Sequence, residues 1–344
     1  MIEVTLGTII ESVFGVRDPG RHRRLVRLYA EWMRITRHPI AFSLSMAIGG
    51  ERMREVYARM ARRSRATIAH PEAPLSRIPL LRIADILREI RLLVLDEIAC
   101  ARAEAARADA SRNARPVRDD ILFEMLQDQS RRGEEPSDEE LFDQLNTLLV
   151  GGHETTSIAA SFTIFDLFSS PEWLDDVQEE IRALIGESLR PSFETALRAK
   201  LLGAAIDESL RLHPIAVSMP RVVARELEIE GRIFPAGTRL FPAPAISHFR
   251  ADLFPDPHRY DPSRFLDKKV SPFAYFPFGG GSRACIGKPF AALQLRLLMM
   301  RLLQRAELRL DGATAREEGQ GILVAPADGV PLRLLALRWR AVPN

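Results

Sequence analysis

Phe278-Gly279-Gly280-Gly281-Ser282-Arg283-Ala284-Cys285-Ile286-Gly287 is the stretch from which the rest of the chain is read. A lone cysteine is most often a small buried hydrophobe. Its neighbours argue otherwise here. Three successive glycines permit backbone conformations closed to other residues and let the main chain approach a flat ligand closely. Arg283 stands two residues before Cys285, where a fixed cation can meet an anionic group on the same ligand. An apolar helix is predicted from about Pro289 to Ala306. Its positive end near the sulfur favours thiolate over thiol.

Upstream, a Pro-rich loop runs from Pro255 to Pro277 and contains Asp261-Pro262-Ser263-Arg264-Phe265. Before it, short alternating runs such as Leu227-Glu228-Ile229-Glu230 and Arg239-Leu240-Phe241 read as small strands separated by Gly and Pro turns. Glu208-Ser209-Leu210-Arg211 sets an acid and a base one helical turn apart. Such a pair, taken alone, is an ordinary surface interaction worth a few tenths of a kcal/mol. Downstream, Gly319 to Trp339 reads as a terminal hairpin.

Further upstream, Ser137 and Glu140 form a capping box, with Asp138 and Glu139 in the first turn. No proline follows until Pro171, which predicts one helix of about thirty residues, long for a globular protein. Gly151-Gly152-His153-Glu154-Thr155-Thr156 lies in its middle. Two adjacent helical glycines cost roughly 1 kcal/mol each against alanine and call for a local reason, a flat cofactor or a bulge that frees a carbonyl. Thr155 can bond back to the preceding turn, and Glu154 can be a solvated charge. His153 has no second histidine three or four residues away and reads as structural. Helical spacing also recurs in Leu25 to Met33 and in Leu81 to Ala103, with a charged linker or helix end from Ala106 to Arg118.

Apolar residues make up 46% of the 344 residues and charged residues 27%, so the chain is globular in composition. A formal net charge of +2 argues against a dedicated nucleic-acid surface. The basic residues are mostly arginine and are spread along the chain, which leaves room for a local basic face toward an acidic protein. Two cysteines exclude a disulfide framework and fit a reducing compartment. Met1 to Val16 carries Glu3 and Glu11 and reads as neither signal peptide nor membrane span. A soluble cytoplasmic protein, mainly α with a minor β portion, is the expectation.

The decapeptide resembles the haem-binding loop of the cytochromes P-450, in which Phe, Gly, Arg, Cys and Gly recur at the spacing of Phe278, Gly281, Arg283, Cys285 and Gly287. The resemblance implies haem b with Cys285 as its thiolate axial ligand, Phe278 packed beside the sulfur, and Arg283 on a haem propionate. A thiolate in this position pushes electron density that favours O–O cleavage. The central hexapeptide resembles the family's Gly-x-acid-Thr motif over the distal haem face. Gly152 would then border the haem, Thr155 would hydrogen-bond dioxygen, and Glu154 would help relay the two protons that O–O cleavage toward water requires. Glu208, Arg211 and Arg264 resemble the family's Glu-x-x-Arg pair and the arginine that joins it, a buried network fixing the cysteine loop; the family loop often has an acid where this chain has Ser263. Pro220-Arg221 corresponds to a segment carrying a second propionate-binding arginine. Ile215, Ala216, Val217, Ser218 and Met219 resemble a stretch lining the substrate pocket, with Ile322 and Leu323 as weaker candidates, and for each of these plain core packing is nearly as good a reading.

The motifs cover Thr147 to the C-terminus, and the earlier helices match only in pattern. Family members carry a further N-terminal portion, including a helix that gives a Trp or His and an Arg to the propionates. The expectation is therefore one P-450 domain over residues 1–344, N-terminally truncated, with its distal helix over 137–170 and its cysteine loop over 278–287. Its implied reaction inserts one atom of dioxygen into a small lipophilic substrate, with electrons from a separate ferredoxin or flavoprotein and no membrane span or nucleic acid involved. Two alternatives stand beside it, a non-catalytic remnant that binds haem weakly or not at all, and a peroxide-driven or rearranging haem-thiolate enzyme.

Overall fold

The computed structural model describes residues 1–36, 52, 55, 79–110, 118–186, 190–266, 270–312, 316–320 and 323–337. Helices dominate them and the strands are short, as the sequence pattern predicts. The chain divides into two compact units, Met1–Glu154 and Thr155–Asn344.

In the first unit, α1 (Ile2–Phe14), α2 (Pro19–Thr36), α3 (Pro79–Ala110) and α4 (Ile121–Arg132) precede the start of α5 (Asp138–Ser169). Apolar residues at helical spacing, Leu6, Ile9, Ile10 and Val13 in α1 and Ile83, Ile86, Ile90 and Val94 in α3, are buried. α1 and α3 both pack against α2. Asp120 caps α4 by accepting from the Phe123 N–H at 3.0 Å. The same carboxylate holds the buried Arg118, whose Nη2 donates to the Phe14 carbonyl at 2.7 Å and so joins the end of α1 to the start of α4. Gly15 sits inside this joint with φ +67°, and a Cβ there would lie 2.1 Å from Asp120 Oδ2.

The capping box at the start of α5 is reciprocal. The Ser137 N–H donates to Glu140 Oε2 at 2.8 Å, and the Glu140 N–H donates to Ser137 Oγ at 3.2 Å. The predicted long helix is therefore real, at 32 residues.

In the second unit, the rest of α5 packs with α6 (Pro171–Ile185), α7 (Phe193–Arg198), α8 (Lys200–Leu212) and α10 (Lys288–Arg305) around Ala160, Ile164, Leu167, Val177, Ile181, Ile206, Leu210 and Met299. Glu180 of α6 accepts from the Leu201 and Leu202 amides and so caps α8 with a side chain from another helix. Among the described residues, four antiparallel ribbons and the short α9 (Pro244–His248) also belong to this unit. β1 (Arg221–Val222) pairs β4 (Arg239–Leu240), and β2 (Leu227–Ile229) turns through Glu230 and Gly231 into β3 (Arg232–Phe234).

The tail departs from the expected single hairpin. β6 (Glu317–Gln320) pairs β7 (Leu323–Pro326), whereas β8 (Leu332–Leu337) pairs β5 (Ala306–Leu310) at the end of α10. The Asp328-Gly329 turn separates two ribbons, because the strand that leaves α10 is already placed to accept the last strand. Trp339, expected in the tail, lies outside the described residues. No described helix is long and apolar enough to cross a membrane.

Candidate active site

The cysteine loop is built by glycine geometry and a few backbone bonds. Gly279 and Gly281 have φ +71° and +69°, and Gly281–Arg283 forms one 3-10 turn that ends just before the cysteine. A side chain at Gly279 would be strained by its φ and would meet Met219 Sδ at 2.8 Å. The Cys285 N–H donates to the Phe278 carbonyl at 2.9 Å, which closes the loop, and α10 begins directly beyond Gly287. Residues 280–286 are exposed, Cys285 among them. Phe278 packs against the helical core, with Lys288 Nζ 5.7 Å from its ring centroid.

This arrangement fits a haem. An accessible thiol, an open stretch of backbone with no Cβ at positions 280–281, and an adjacent arginine are the donor set that a flat, anionic iron macrocycle needs. Ile286 beside the sulfur is 85% exposed, a large apolar side chain that a flat ligand would cover.

A charged network is built on α8. Arg211 and Glu208 on α8 are both fully buried and pair in bidentate fashion, Nε to Oε2 at 2.7 Å and Nη2 to Oε1 at 2.8 Å. Glu208 Oε1 also accepts from the Asp261 N–H at 3.0 Å and from Arg264 Nε at 3.3 Å. Arg211 Nη1 donates to the carbonyls of His248 and Pro257 at 2.9 and 2.7 Å. Burial pushes the Glu208 carboxyl up, and these cations and the amide act against it. The three network residues are brought together around the carbonyls of the loop from His248 to Arg264.

Two residues that sequence reasoning did not single out connect this network to the cysteine. His248 is fully buried, with Nδ1 3.3 Å from the Arg211 carbonyl, and its Nε2 accepts from the Phe276 N–H at 3.2 Å. That pattern requires the neutral ring, and burial pushes its pKa down to about 4. Tyr275 donates to the Asp207 carbonyl of α8 at 2.9 Å and packs against Phe265. Phe276 in turn accepts from the Gly279 N–H at 3.0 Å. A continuous run of hydrogen bonds thus leads from Glu208 and Arg211 through His248 and Phe276 to the glycines before Cys285. Only the aromatic density of Phe273 to Phe278 hinted at this in the sequence.

Other candidates are placed as follows. Glu154 and Thr155 are half-buried in the middle of α5, and His153 is buried with Nδ1 3.1 Å from the Leu149 carbonyl, a structural placement. A Cβ at Gly152 would lie 2.2 Å from Ile9 Cδ1, so contact with α1 gives this glycine a packing reason independent of any cofactor. Arg221 turns its Nη1 back onto the carbonyls of Met219 and Pro220 at 3.3 and 3.0 Å. Ile215 packs with Ile158, Phe162, Leu323 and Ala325, while Val217 is exposed. Ile322 lies outside the described residues. Among the described residues no group of three or more His, Cys, Asp and Glu side chains could hold a metal ion.

A family model described as cytochrome P-450 matches residues 38–329. The putative cytochrome P-450 135B1 of Mycobacterium tuberculosis is 29% identical over 340 residues, covering 98% of this chain and 63% of that protein. Cytochrome P-450 3A29 of Sus scrofa is 32% identical over 229 residues, 61% of this chain and 46% of that protein. Among solved structures, a mutant heme domain of cytochrome P-450DA aligns with a TM-score of 0.74 at 22% identity, covering 98% of this chain and 67% of that one. The match therefore extends through the early helices, which the motifs alone did not identify. The chain spans less than two thirds of the length of the mycobacterial relative.

Proposed function

This chain belongs to the cytochrome P-450 family, and from that premise we propose that it is a haem-thiolate monooxygenase acting on a small lipophilic substrate. The carrying observation is the exposed Cys285 thiol, held on a glycine-rich turn that is hydrogen-bonded down to a buried charge network. Haem, when bound, supplies the reductive activation of dioxygen, and the protein supplies orientation and protons. Cys285 would hold the iron through its thiolate, with Phe278 beside the sulfur. Arg283 and Arg221 would hold the propionates, the latter by releasing the carbonyls of Met219 and Pro220. Glu208, Arg211 and Arg264 keep the loop in place. Thr155 would donate a hydrogen bond to bound oxygen, and Glu154 would pass protons toward it.

Electrons would come from a separate ferredoxin or flavoprotein. The Glu154-Thr155 pair favours this reading over a peroxide-driven one, in which no proton relay is needed. Ile215 and Val217 belong to the substrate wall.

The reduced, carbon monoxide-bound absorption spectrum of the purified chain tests the proposal. A thiolate-type Soret band that disappears in Cys285→Ala is the expected result. Absence of haem uptake by the wild-type chain overturns it in favour of a non-catalytic remnant.

A further inference from the structure

The segment Ile215–Val217 leaves α8 immediately after His213, and that histidine is held from three sides. Its Nε2 lies 3.1 Å from Asp166 Oδ1 of α5, and its Nδ1 lies 2.6 Å from Glu317 Oε1 of β6. Its ring stacks on Phe162 of α5 with centroids 4.1 Å apart and planes 1° from parallel. Two backbone contacts continue the same junction. The Val324 N–H of β7 donates to the Ile215 carbonyl at 2.9 Å, and Ala216 bridges Leu323. Ile158, Phe162, Ile215, Leu323 and Ala325 fill the space beneath.

We propose that His213 is a positioning residue, a latch that clamps the Ile215–Val217 segment and the β6–β7 hairpin onto α5 by bridging Asp166 and Glu317. Its significance for substrate rests on the reading of this segment as part of the pocket wall; the latch itself does not. A neutral imidazole has one donor, so it cannot serve two carboxylates, whereas an imidazolium has two. Burial disfavours that cation, yet the hydrogen bonds and charges of Asp166 and Glu317 outweigh burial and raise the pKa to about 9. The charged groups facing the ring are Asp166 from α5 and Glu317 from β6, and Tyr260 stands within electrostatic reach of Asp166. The remaining ring face is apolar, against Phe162. At neutral pH the latch is closed, and it opens as the pH rises through the folded pKa.

Amide hydrogen exchange on the full chain tests this without any need for turnover. In His213→Gln at pH 7 the Leu323–Ala325 amides, Val324 above all, should exchange about tenfold faster or more, while amides in α6 and α10 keep their protection. His213→Arg restores a planar cation that can stack on Phe162 and donate to both carboxylates, and it should recover most of the protection. Unchanged exchange at Val324 in His213→Gln overturns the latch. So does a loss spread equally over α6 and α10, or a failure of His213→Arg to recover. The haem spectrum is a separate measurement, so a failed latch and a failed monooxygenase reading are distinguishable.

Discussion

Arg211 ties α8 to the loop from His248 to Arg259 through its side chain. Its guanidinium is completely buried, yet it is fully used, two bonds to Glu208 and three to the carbonyls of His248, Pro257 and Arg259. A short side chain in its place would leave Glu208 as a buried charge with only Arg264 and one amide beside it, and would strip three loop carbonyls of their donor. Arg211→Ala is expected to destabilise the fold by about 3–5 kcal/mol, as breaking one side of a buried pair does. Urea unfolding of the two proteins gives the comparison, and a loss within 1 kcal/mol would contradict the network's role. The sequence made Glu208 and Arg211 visible as an i, i+3 pair, but the same spacing occurs on countless exposed helices. Their burial, and the recruitment of His248, depend on the loop that folds over them.

At the scale of elements, helix junctions hold each unit together. Gly15 ends α1 in a left-handed conformation, with the buried Arg118–Asp120 pair pressed against its Cα. Gly15→Ala combines backbone strain with a clash against groups that cannot retreat to water. It is expected to cost more than about 2 kcal/mol, read as a lowered thermal midpoint, and an unchanged midpoint would refute the tight-joint description. α5 was the most legible element, because its capping box, its length and its proline stop all lie within the local sequence. The terminal strands were the least legible. Nothing local tells β8 to pair with β5 rather than β7, since partner choice depends on where α10 delivers its own C-terminal end.

Across the molecule, two histidines give stability opposite dependences on pH. His213 has a folded pKa raised to about 9 from an ordinary value of 6.5, so its contribution is complete below about 6.5 and is lost as pH rises through 9. His248 has a folded pKa lowered to about 4 from the same ordinary value. Its contribution is complete above about 6.5 and is lost as pH falls toward and through 4. Denaturant unfolding as a function of pH should therefore pass through a maximum near neutrality. His213→Gln should flatten the alkaline limb and leave the acid limb in place. An alkaline limb identical in that variant would show that other groups control it.

The sequence by itself determined the family, because Phe278, Gly281, Arg283, Cys285 and Gly287 set four residue types at five fixed positions within ten residues, a purely local pattern. It also determined the long helix and the mainly helical class, which follow from periodicity and capping. Tertiary structure alone decided how Cys285 is supported. The route through His248, Tyr275 and Phe276, the double clamp on His213, and the packing of Ile9 against Gly152 join residues far apart in the chain. Burial and hydrogen-bond geometry create those contacts, and neither is encoded by a residue's neighbours.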